Sequence, residues 1–562
     1  MKPPLGIRGC PWLSVVVRLM AYSLTGFRLK RENRLATLLL AGILAVAATV
    51  RFVSLSHIPP GLWYDEAIYA LDGLSIGRGN WPIFFTTEGH PREPLYIYSL
   101  GAFFAAFGHS VLKARLVSAL WGIATVAVFY PFARRVVGRM WALAAVFTLA
   151  VFRWHAHFSR TIFRALLPPF FILLVAVFFL RWRERRRPLD ALLCGLFMGL
   201  GMYTYLSFRF VPLMLACWIG WLLWKGALAW RRDWRHLALI YATAAVVFLP
   251  LAIDYARNPW HFAGRMDEVS MFTKTIRATD AMGNPSERVV PKTMLETAAG
   301  LAGNALDVAG MWTVRGDHVG KHNLPLEPVF DWASGALFYA GIAWCLINIA
   351  RNEFAFLTLI WLFFMCLTSM FSFGAPNLLR MQGATPAAVM AFIFGLRWAF
   401  DASARLMSMR VRVCLAGLII AYFAFNQLDT YFRRFPQSTE VQMEFQKQIF
   451  YDPAVAVLDI SKRAAKVFVP EEMAAHPSFA FVTYGLDNLK SYGASERLSA
   501  IAGPGGGRLA VLVTARSLQL ARDAGNDQLD ALRGMNGARI ETETMMPAKQ
   551  GLTTWAQLWV IP

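Results

Sequence analysis

The stretch Pro59-Pro60-Gly61-Leu62-Trp63-Tyr64-Asp65-Glu66-Ala67 places two adjacent carboxylates just after the first strongly apolar segment, Leu38 to Val53. Ionisable side chains at a membrane boundary are costly to keep, so Asp65 and Glu66 are candidates for a functional site. The alternative is that both acids only open the next helix, because a helix N-terminus favours negative charge. These residues alone leave the two interpretations about equal, and the rest of the chain favours the first.

The composition is that of a membrane protein with an added polar part. The chain has 562 residues, of which 57% are hydrophobic and 16% are charged, and its formal net charge is +21. Such a chain is too apolar for a soluble protein of this length. An excess of Lys and Arg can indicate nucleic-acid binding, but here these residues lie in short clusters between apolar segments, as topology signals do. We therefore expect a membrane as partner and no nucleic acid.

The apolar segments predict about eleven membrane spans. The basic residues at 1–35 predict a cytoplasmic N-terminal segment with an interfacial helix. Segment 94–108 has about 15 residues, or roughly 22 Å of helix against roughly 30 Å of hydrocarbon, so we expect it to lie along the outer interface. The later Arg clusters then fall on the cytoplasmic side, as the positive-inside rule favours. The predicted spans are residues 36–54, 115–133, 139–155, 163–180, 189–204, 210–226, 236–253, 333–350, 354–372, 384–399 and 412–427.

Residues 428–562 are predicted to form a small α/β domain outside the cytoplasm. Three segments look like strands and Ser517 to Met535 looks like a helix; the strand segments are Phe479 to Tyr484, Leu509 to Thr514 and Ala556 to Ile561. The chain thus divides into an N-terminal segment (1–35), an all-α membrane domain (36–427) and this domain. We expect it in the inner or plasma membrane, with the N-terminus cytoplasmic and the last domain extracytoplasmic.

Charged and aromatic side chains gather in the loops predicted to face outward. The acidic group consists of Asp65, Glu66, Glu88, His90 and Glu93. Such a cluster can supply a general base, ligands for a divalent metal, or both, although no regular metal spacing is present. His90 is equally well explained as a solvated loop histidine.

A second group is basic or phenolic. Arg on the outer side opposes the topology rule, and an anionic lipid headgroup would explain it, since Arg binds phosphate bidentately and Tyr adds a hydroxyl donor. The alternative is that each Arg reaches up to ordinary phospholipid. The group consists of Arg160, Arg164, Tyr203, Tyr205, Arg209, Lys321, His322 and Arg380.

Several of these stretches resemble the loop motifs of one family. Trp63-Tyr64-Asp65-Glu66-Ala67 after a first span resembles the first outer loop of integral-membrane glycosyltransferases with the GT-C fold. The similarity is greatest to the bacterial protein O-mannosyltransferase-like group, to which the aminoarabinose lipid A transferases are similar. The other matching stretches, within about 36–400, are Gly89-His90-Pro91-Arg92-Glu93-Pro94-Leu95-Tyr96, Gly201-Met202-Tyr203-Thr204-Tyr205 with Arg209 and Pro212, Lys321-His322-Asn323-Leu324-Pro325, and Leu379-Arg380 with Gly383-Ala384-Thr385-Pro386.

The resemblance implies a GT-C-like membrane domain with juxtamembrane helices in its first outer loop. It implies transfer of a sugar, with inversion, from a polyprenyl-phosphate donor to an unidentified lipid, glycan or protein acceptor on the outer face. Asp65 would be the base or would orient the acceptor, assisted by Glu66. The implied donor-phosphate ligands are Arg160, Arg164, Tyr203, Tyr205, Arg209, Lys321 and Arg380, and the implied substrate or metal ligands are Glu88, His90, Glu93 and His322.

One departure from the family pattern bears on the metal. Several relatives have an acid where the third span re-emerges, and here that turn reads Arg160-Thr161-Ile162-Phe163-Arg164. This weakens the case for a two-acid metal site and favours charge neutralisation by Arg. The sequence therefore assigns no certain cofactor, and a divalent metal stays a candidate.

A transporter or flippase of lipid-linked sugars is the rival hypothesis. Transporters often consist of matching halves with charged residues near the midplane. This chain has no matching halves, and its charges gather at one face. A sensor whose outer domain binds a ligand is a third hypothesis, which leaves the loop motifs unexplained.

Overall fold

The structure is a computed structural model that describes residues 31–89, 91–279, 285–493, 496, 508–524, 528–534, 537–547 and 553–561. A helical part extends to residue 437, and an α/β part follows it. This agrees with the predicted fold class, an all-α membrane domain with a small α/β addition. The predicted interfacial helix within residues 1–30 lies outside the described residues.

Among the described residues, eight helices are long and apolar enough to cross a membrane, and four apolar helices are shorter. The long ones are Arg34–Phe52, Val111–Val137, Arg164–Arg185, Leu206–Trp224, Trp230–Arg257, Glu353–Met370, Gln382–Arg405 and Met409–Gln437. The shorter ones are Leu95–Phe107, Arg139–Val151, Pro188–Gly201 and Trp332–Asn348. All eleven predicted spans therefore fall on helices, and Leu95–Phe107 is the segment predicted to lie along the interface.

The helix Arg164–Arg185 lies at the centre of the helical part. The apolar stretch of this helix is completely buried, and the helix packs against Val111–Val137 and Pro188–Gly201. A helix that is apolar all round is expected in such a position. The central packing fixes Arg164, the first residue of this helix, at one end of the core.

Two other helices approach each other through glycine. A Cβ atom on Gly341 would lie 1.7 Å from the backbone oxygen of Ala391, and one on Gly395 would lie 1.8 Å from that of Leu337. Small residues allow helices in a membrane to pack backbone to backbone. This contact joins Trp332–Asn348 to Thr385–Ala402 and so fixes the end of the loop that carries Arg380.

The loops between the long helices contain further elements. The helices Tyr64–Gly77 and Arg153–Phe158 lie in the first part of the chain. Between the helices Trp230–Arg257 and Trp332–Asn348 come the helix Pro259–Glu268, an antiparallel hairpin of β1 (Thr273–Thr279) and β2 (Pro285–Pro291), and the helix Met294–Gly310.

A five-stranded sheet forms the core of the α/β part, in the order β4-β3-β5-β7-β6. The first three strands in this order are parallel and the last two pairings are antiparallel. The strands are β3 Lys466–Pro470, β4 Leu489–Tyr492, β5 Leu509–Thr514, β6 Arg539–Pro547 and β7 Thr553–Ile561. The helices are Thr439–Glu444, Asp452–Ile460, Glu471–Ala474, Pro477–Val482, Ala515–Asp523 and Gln528–Arg533.

The predicted strand from Phe479 to Tyr484 is wrong. This segment lies in the helix Pro477–Val482, which begins at a proline and is capped by the His476 side chain accepting from Ser478 N. The alternation of Phe479 and Phe481 suggested a strand, but both side chains are buried on a short helix. The strands predicted at 509–514 and 556–561 are present, and the predicted helix at 517–535 coincides with two shorter helices.

Candidate active site

Two buried arginines hold the loop that precedes Asp65. Arg160 donates hydrogen bonds of 2.7–2.9 Å to three backbone carbonyls, those of Val50, Val53 and Ile58. Arg115 donates in the same way to the carbonyls of Leu55, Pro59 and Gly61. Carbonyls at a helix C-terminus lack intrahelical partners and carry partial negative charge, which a guanidinium satisfies. Arg160 thus supports the loop that enters the site.

Glu66 joins this loop to the turn at residues 159–164. Its side chain is fully buried, and its carboxylate accepts from Ile162 N at 2.7 Å and from Trp63 N at 3.1 Å. Burial raises the pKa of Glu66 above its ordinary value. The same junction stacks the rings of Trp63 and Phe163, with centroids 5.1 Å apart. Glu66 is therefore a fixed link within the wall of the site.

Asp65 lines a cavity of about 680 Å³. The side chain is half-buried, and among the described residues its carboxylate has no hydrogen-bond or salt-bridge partner. An acid held at a helix N-terminus in a cavity, with its oxygens unused, is available to a ligand hydroxyl. The two neighbouring acids thus differ: Glu66 is bonded into the wall and Asp65 borders the cavity.

The cavity also collects cationic side chains from distant parts of the chain. Besides Asp65, its wall contains Arg92, Arg164, Tyr205, Arg265, His318, Lys321, His322 and Arg380, with the acids Asp267 and Glu444. Aromatic rings form much of the remaining surface, including those of Trp63, Tyr69, Phe163, Phe210, Phe272 and Phe371.

Two of the cavity's arginines are paired with buried acids. Arg164 meets Glu93 at 2.6 Å, and Arg92 meets Asp72 at 3.0 Å. All four side chains are at most 5% exposed. These pairs fix the stretch that contains Arg92 and Glu93 against the helix Tyr64–Gly77 and against the start of the central helix. Arg92 and Asp72 were not among the predicted site residues, although Arg92 lies inside a quoted motif.

Two further cations are less compensated. Lys321 Nζ lies 4.2 Å from the centroid of the Trp63 ring and 3.9 Å from a carboxylate oxygen of Glu444. Arg380 donates to the backbone oxygen of Phe373 at 2.9 Å and, among the described residues, forms no salt bridge. Burial lowers the pKa of Arg380 from its ordinary value. An anionic ligand in the cavity would relieve this desolvated positive charge.

His322 borders the cavity and is held by a carboxylate that sequence reasoning missed. Its Nδ1 lies 2.9 Å from Oδ2 of Asp317, which is fully buried. The pair is five residues apart within one irregular loop, and no pattern in the sequence indicated that the two side chains would meet.

The other predicted site residues lie elsewhere. The Tyr203 hydroxyl donates to Val247 O, and Arg209 bonds to Phe262 O and to the Tyr255 hydroxyl. Neither lines the cavity, and Arg160, Glu66 and Glu93 are likewise bonded within the protein. The Glu88 side chain and the whole of His90 lie outside the described residues.

A metal site was tested against the donor atoms. Over the described residues, no group of three or more His, Cys, Asp or Glu side chains is arranged to hold a metal ion. At the turn 160–164, the residues that border the cavity are Phe163 and the cation Arg164, and neither can bind a metal. The described residues around Asp65 therefore do not fit a metal.

Residues 89–253 match the family model described as dolichyl-phosphate-mannose-protein mannosyltransferase. This match includes Arg92, Glu93, Arg164 and Tyr205. No curated protein matches the chain significantly.

Solved structures with a similar arrangement were also found. ArnT from Cupriavidus metallidurans bound to undecaprenyl phosphate is 14% identical, with a TM-score of 0.49 over 92% of this chain and 97% of that one. The oligosaccharyltransferase AglB from Archaeoglobus fulgidus, in complex with an inhibitory peptide and a dolichol-phosphate, is 14% identical, with a TM-score of 0.49 over 93% of this chain and 74% of that one. Over residues 89–253, the family match confirms the resemblance to protein mannosyltransferases predicted from the sequence.

Proposed function

We propose that the protein transfers a sugar from a polyprenyl-phosphate donor to an acceptor hydroxyl on the extracytoplasmic face of the membrane. One observation carries the proposal: the unpartnered carboxylate of Asp65 shares a cavity with the guanidinium and ammonium groups of Arg164, Lys321 and Arg380. A base beside an anion site is what such a reaction requires, because a hydroxyl must lose its proton while a phosphate gains charge.

The step is a single displacement. Asp65 accepts the proton of the acceptor hydroxyl as its oxygen attacks the anomeric carbon of the sugar. The bond from that carbon to the phosphate oxygen breaks, and the lipid phosphate leaves with the electron pair. Attack opposite to the leaving group inverts the anomeric carbon. The aromatic ring of Tyr205 in the cavity wall provides a surface for the sugar.

The donor phosphate is assigned to a smaller group than the sequence suggested. Arg380 and Lys321 are the main ligands because they carry the least compensated charge, and Arg164 and Tyr205 border the same cavity. Arg160, Arg209 and Tyr203 act on protein groups instead. A charged hydrogen bond contributes about 1.5–3 kcal/mol, so Arg380→Ala should weaken donor binding by about 10–100-fold.

The decisive test is Asp65→Asn, which removes the base but keeps the shape of the side chain. We expect transfer to fall by about 10²–10⁴-fold, the usual contribution of a general base, with unchanged thermal stability. Asp267→Asn is the matched control, because Asp267 is an exposed acid on the same cavity wall and should have little effect.

The assay uses purified protein in detergent, with no membrane gradient. A panel of undecaprenyl-phosphate sugars is incubated with cell-envelope extract, and release of undecaprenyl phosphate and glycosylated product are followed by mass spectrometry. Lipids that copurify with the protein guide the choice of sugar. Near-normal transfer by Asp65→Asn would refute the proposed base. Absence of turnover in detergent, combined with movement of lipid-linked sugar across vesicles, would favour the transporter or flippase instead.

A further inference from the structure

The carboxylate of Asp317 lies where two loops of the candidate site meet. Its Oδ1 accepts from Val319 N at 2.9 Å, and its Oδ2 accepts from His322 Nδ1 and from Leu378 N, each at 2.9 Å. The side chain is fully buried, and the backbone oxygen of Asp317 also accepts from Leu326 N. One acid thus fixes its own loop, an imidazole of that loop and the backbone of a second loop.

Asp317 holds the His322 ring, which borders the cavity, and the backbone of Leu378, whose loop also carries a cavity residue. Because Nδ1 is engaged by the carboxylate, the Nε2 atom is the one that His322 can offer to a ligand. Nε2 has no hydrogen-bond partner among the described residues, and the ring borders the cavity. Leu378 is two residues before Arg380, whose own backbone N donates to Asn377 Oδ1. The position of the Arg380 guanidinium therefore depends on the loop that Asp317 anchors.

The charges around His322 indicate which kind of ligand its Nε2 meets. Lys321 precedes it, and Arg380 lines the same cavity. An imidazole among cations is a poor partner for another cation and a good donor to an anion once it is protonated, and the Asp317 carboxylate balances that proton. A phosphate oxygen fits this surrounding.

We propose that Asp317 is a positioning residue of the phosphate site: it orients His322 so that Nε2 donates to the phosphate, and it seats the loop from which Arg380 reaches the same phosphate. The proposal rests on the function proposed above and deepens it, because it adds His322 to the phosphate ligands and assigns the group that aligns both of them. Asp317 itself does not touch the ligand.

The test measures affinity for undecaprenyl phosphate, without any sugar, together with thermal stability. Asp317→Ala should weaken binding by about tenfold, as expected when charged donors lose their alignment. Asp317→Asn should recover part of this loss, because an amide oxygen can still accept the two bonds at the Oδ2 position. Asp331→Ala is the control: Asp331 caps the helix Trp332–Asn348 from the same loop, so this variant should lose stability but keep affinity.

A mutant cycle separates positioning from general support of the fold. In a His322→Ala/Arg380→Ala background, Asp317→Ala should cause no further loss of affinity, while it still lowers stability because the bonds from Val319 N and Leu378 N are lost. An equal affinity loss in both backgrounds would overturn the proposal. If Asp317→Ala does not fold, His322→Asn and His322→Gln replace it. Gln places its amide nitrogen near the position of Nε2 and should bind more tightly than Asn, which keeps only the position of Nδ1, and the reverse order would also overturn the proposal.

Further binding measurements distinguish a failure of this inference from a failure of the proposed function. Inorganic phosphate should compete for the site only weakly if the lipid tail contributes, and equal competition would identify free phosphate as the ligand. If Arg380→Ala weakens binding but His322→Ala does not, this inference is refuted and the proposed function stands. If the unsubstituted protein fails to bind undecaprenyl phosphate, both are refuted.

Discussion

A substitution of Arg160 tests whether this arginine binds a ligand or supports the backbone around it. The sequence predicted that Arg160 would bind the donor phosphate, whereas in the structure its guanidinium donates to two carbonyls at the end of the first long helix and to one in the loop that follows. We expect Arg160→Ala to destabilise the protein without lowering phosphate affinity in the molecules that remain folded.

The magnitude follows from those three bonds. Each hydrogen bond from a charged donor contributes about 1.5–3 kcal/mol to stability. Part of this free energy is recovered in the variant, because water can reach the freed carbonyls and no charge has to be desolvated. A buried polar group left without a partner typically costs about 1–3 kcal/mol, so with three carbonyls and partial recovery we expect Arg160→Ala to cost about 3–5 kcal/mol. Arg160→Lys should be intermediate, because an ammonium cannot span the positions that the planar guanidinium reaches.

The assay is thermal unfolding in detergent, with undecaprenyl-phosphate affinity measured well below the transition. Arg433→Ala is the control, since Arg433 forms an exposed ion pair with Asp429 within one helix turn and should change neither quantity measurably. A variant of Arg160 that kept its stability and lost phosphate affinity would show that the guanidinium binds ligand, and the structural reasoning would be refuted.

Three further predictions concern groups around the same site. Burial raises the pKa of Glu66 above 4.5, so the folded protein binds this proton more tightly than the unfolded chain does. Stability should therefore fall as the pH rises from 4.5 through the raised pKa. Thermal unfolding of Glu66→Gln at the same pH values should lack this fall. Gly61→Ala should destabilise by about 1–3 kcal/mol in chemical or thermal unfolding, because φ is +95° and a Cβ would lie 2.6 Å from Phe445 O; Gly417→Ala, with open space around it, should not. Arg209→Ala should lower thermal stability and leave phosphate affinity within about twofold, because its guanidinium binds Phe262 O and the Tyr255 hydroxyl and lies 3.6 Å from the Glu93 carboxylate.

The helical framework could be predicted because each of its segments carries its own signal. A run of apolar residues long enough for a bilayer reads as a helix whatever surrounds it, and every predicted span is helical. The short elements after residue 428 were harder, as Phe479 and Phe481 illustrate, because an alternating pair of aromatics fits one buried helical turn as well as a strand. Here Pro477 and the cap at His476 decided the outcome.

Six of the predicted site residues border the cavity, but their partners could not be predicted; these residues are Asp65, Arg164, Tyr205, Lys321, His322 and Arg380. Asp65 could be picked out as the acid next to a membrane boundary, yet nothing local distinguishes it from Glu66, which faces the backbone of Ile162. Arg160 and Arg164 lie on one turn and have different partners, carbonyls for the first and Glu93 for the second. Those partners come from other parts of the chain, so tertiary structure alone assigns them.

A cationic side chain should bind the phosphate more strongly when no acid of the protein already neutralises its charge. Arg164 already has Glu93 within 2.6 Å, so a phosphate would gain less from it than from an unpaired guanidinium. The Arg380 guanidinium contacts the carbonyl and the ring of Phe373 but no carboxylate among the described residues, and its loop is anchored by Asp317. The acid of the Arg164 pair, Glu93, and the anchor of Arg380, Asp317, are both buried and bonded within the protein. The cavity therefore presents to a ligand the Asp65 carboxylate, which has no hydrogen-bond partner among the described residues, and the Arg380 guanidinium, which has no salt bridge among them.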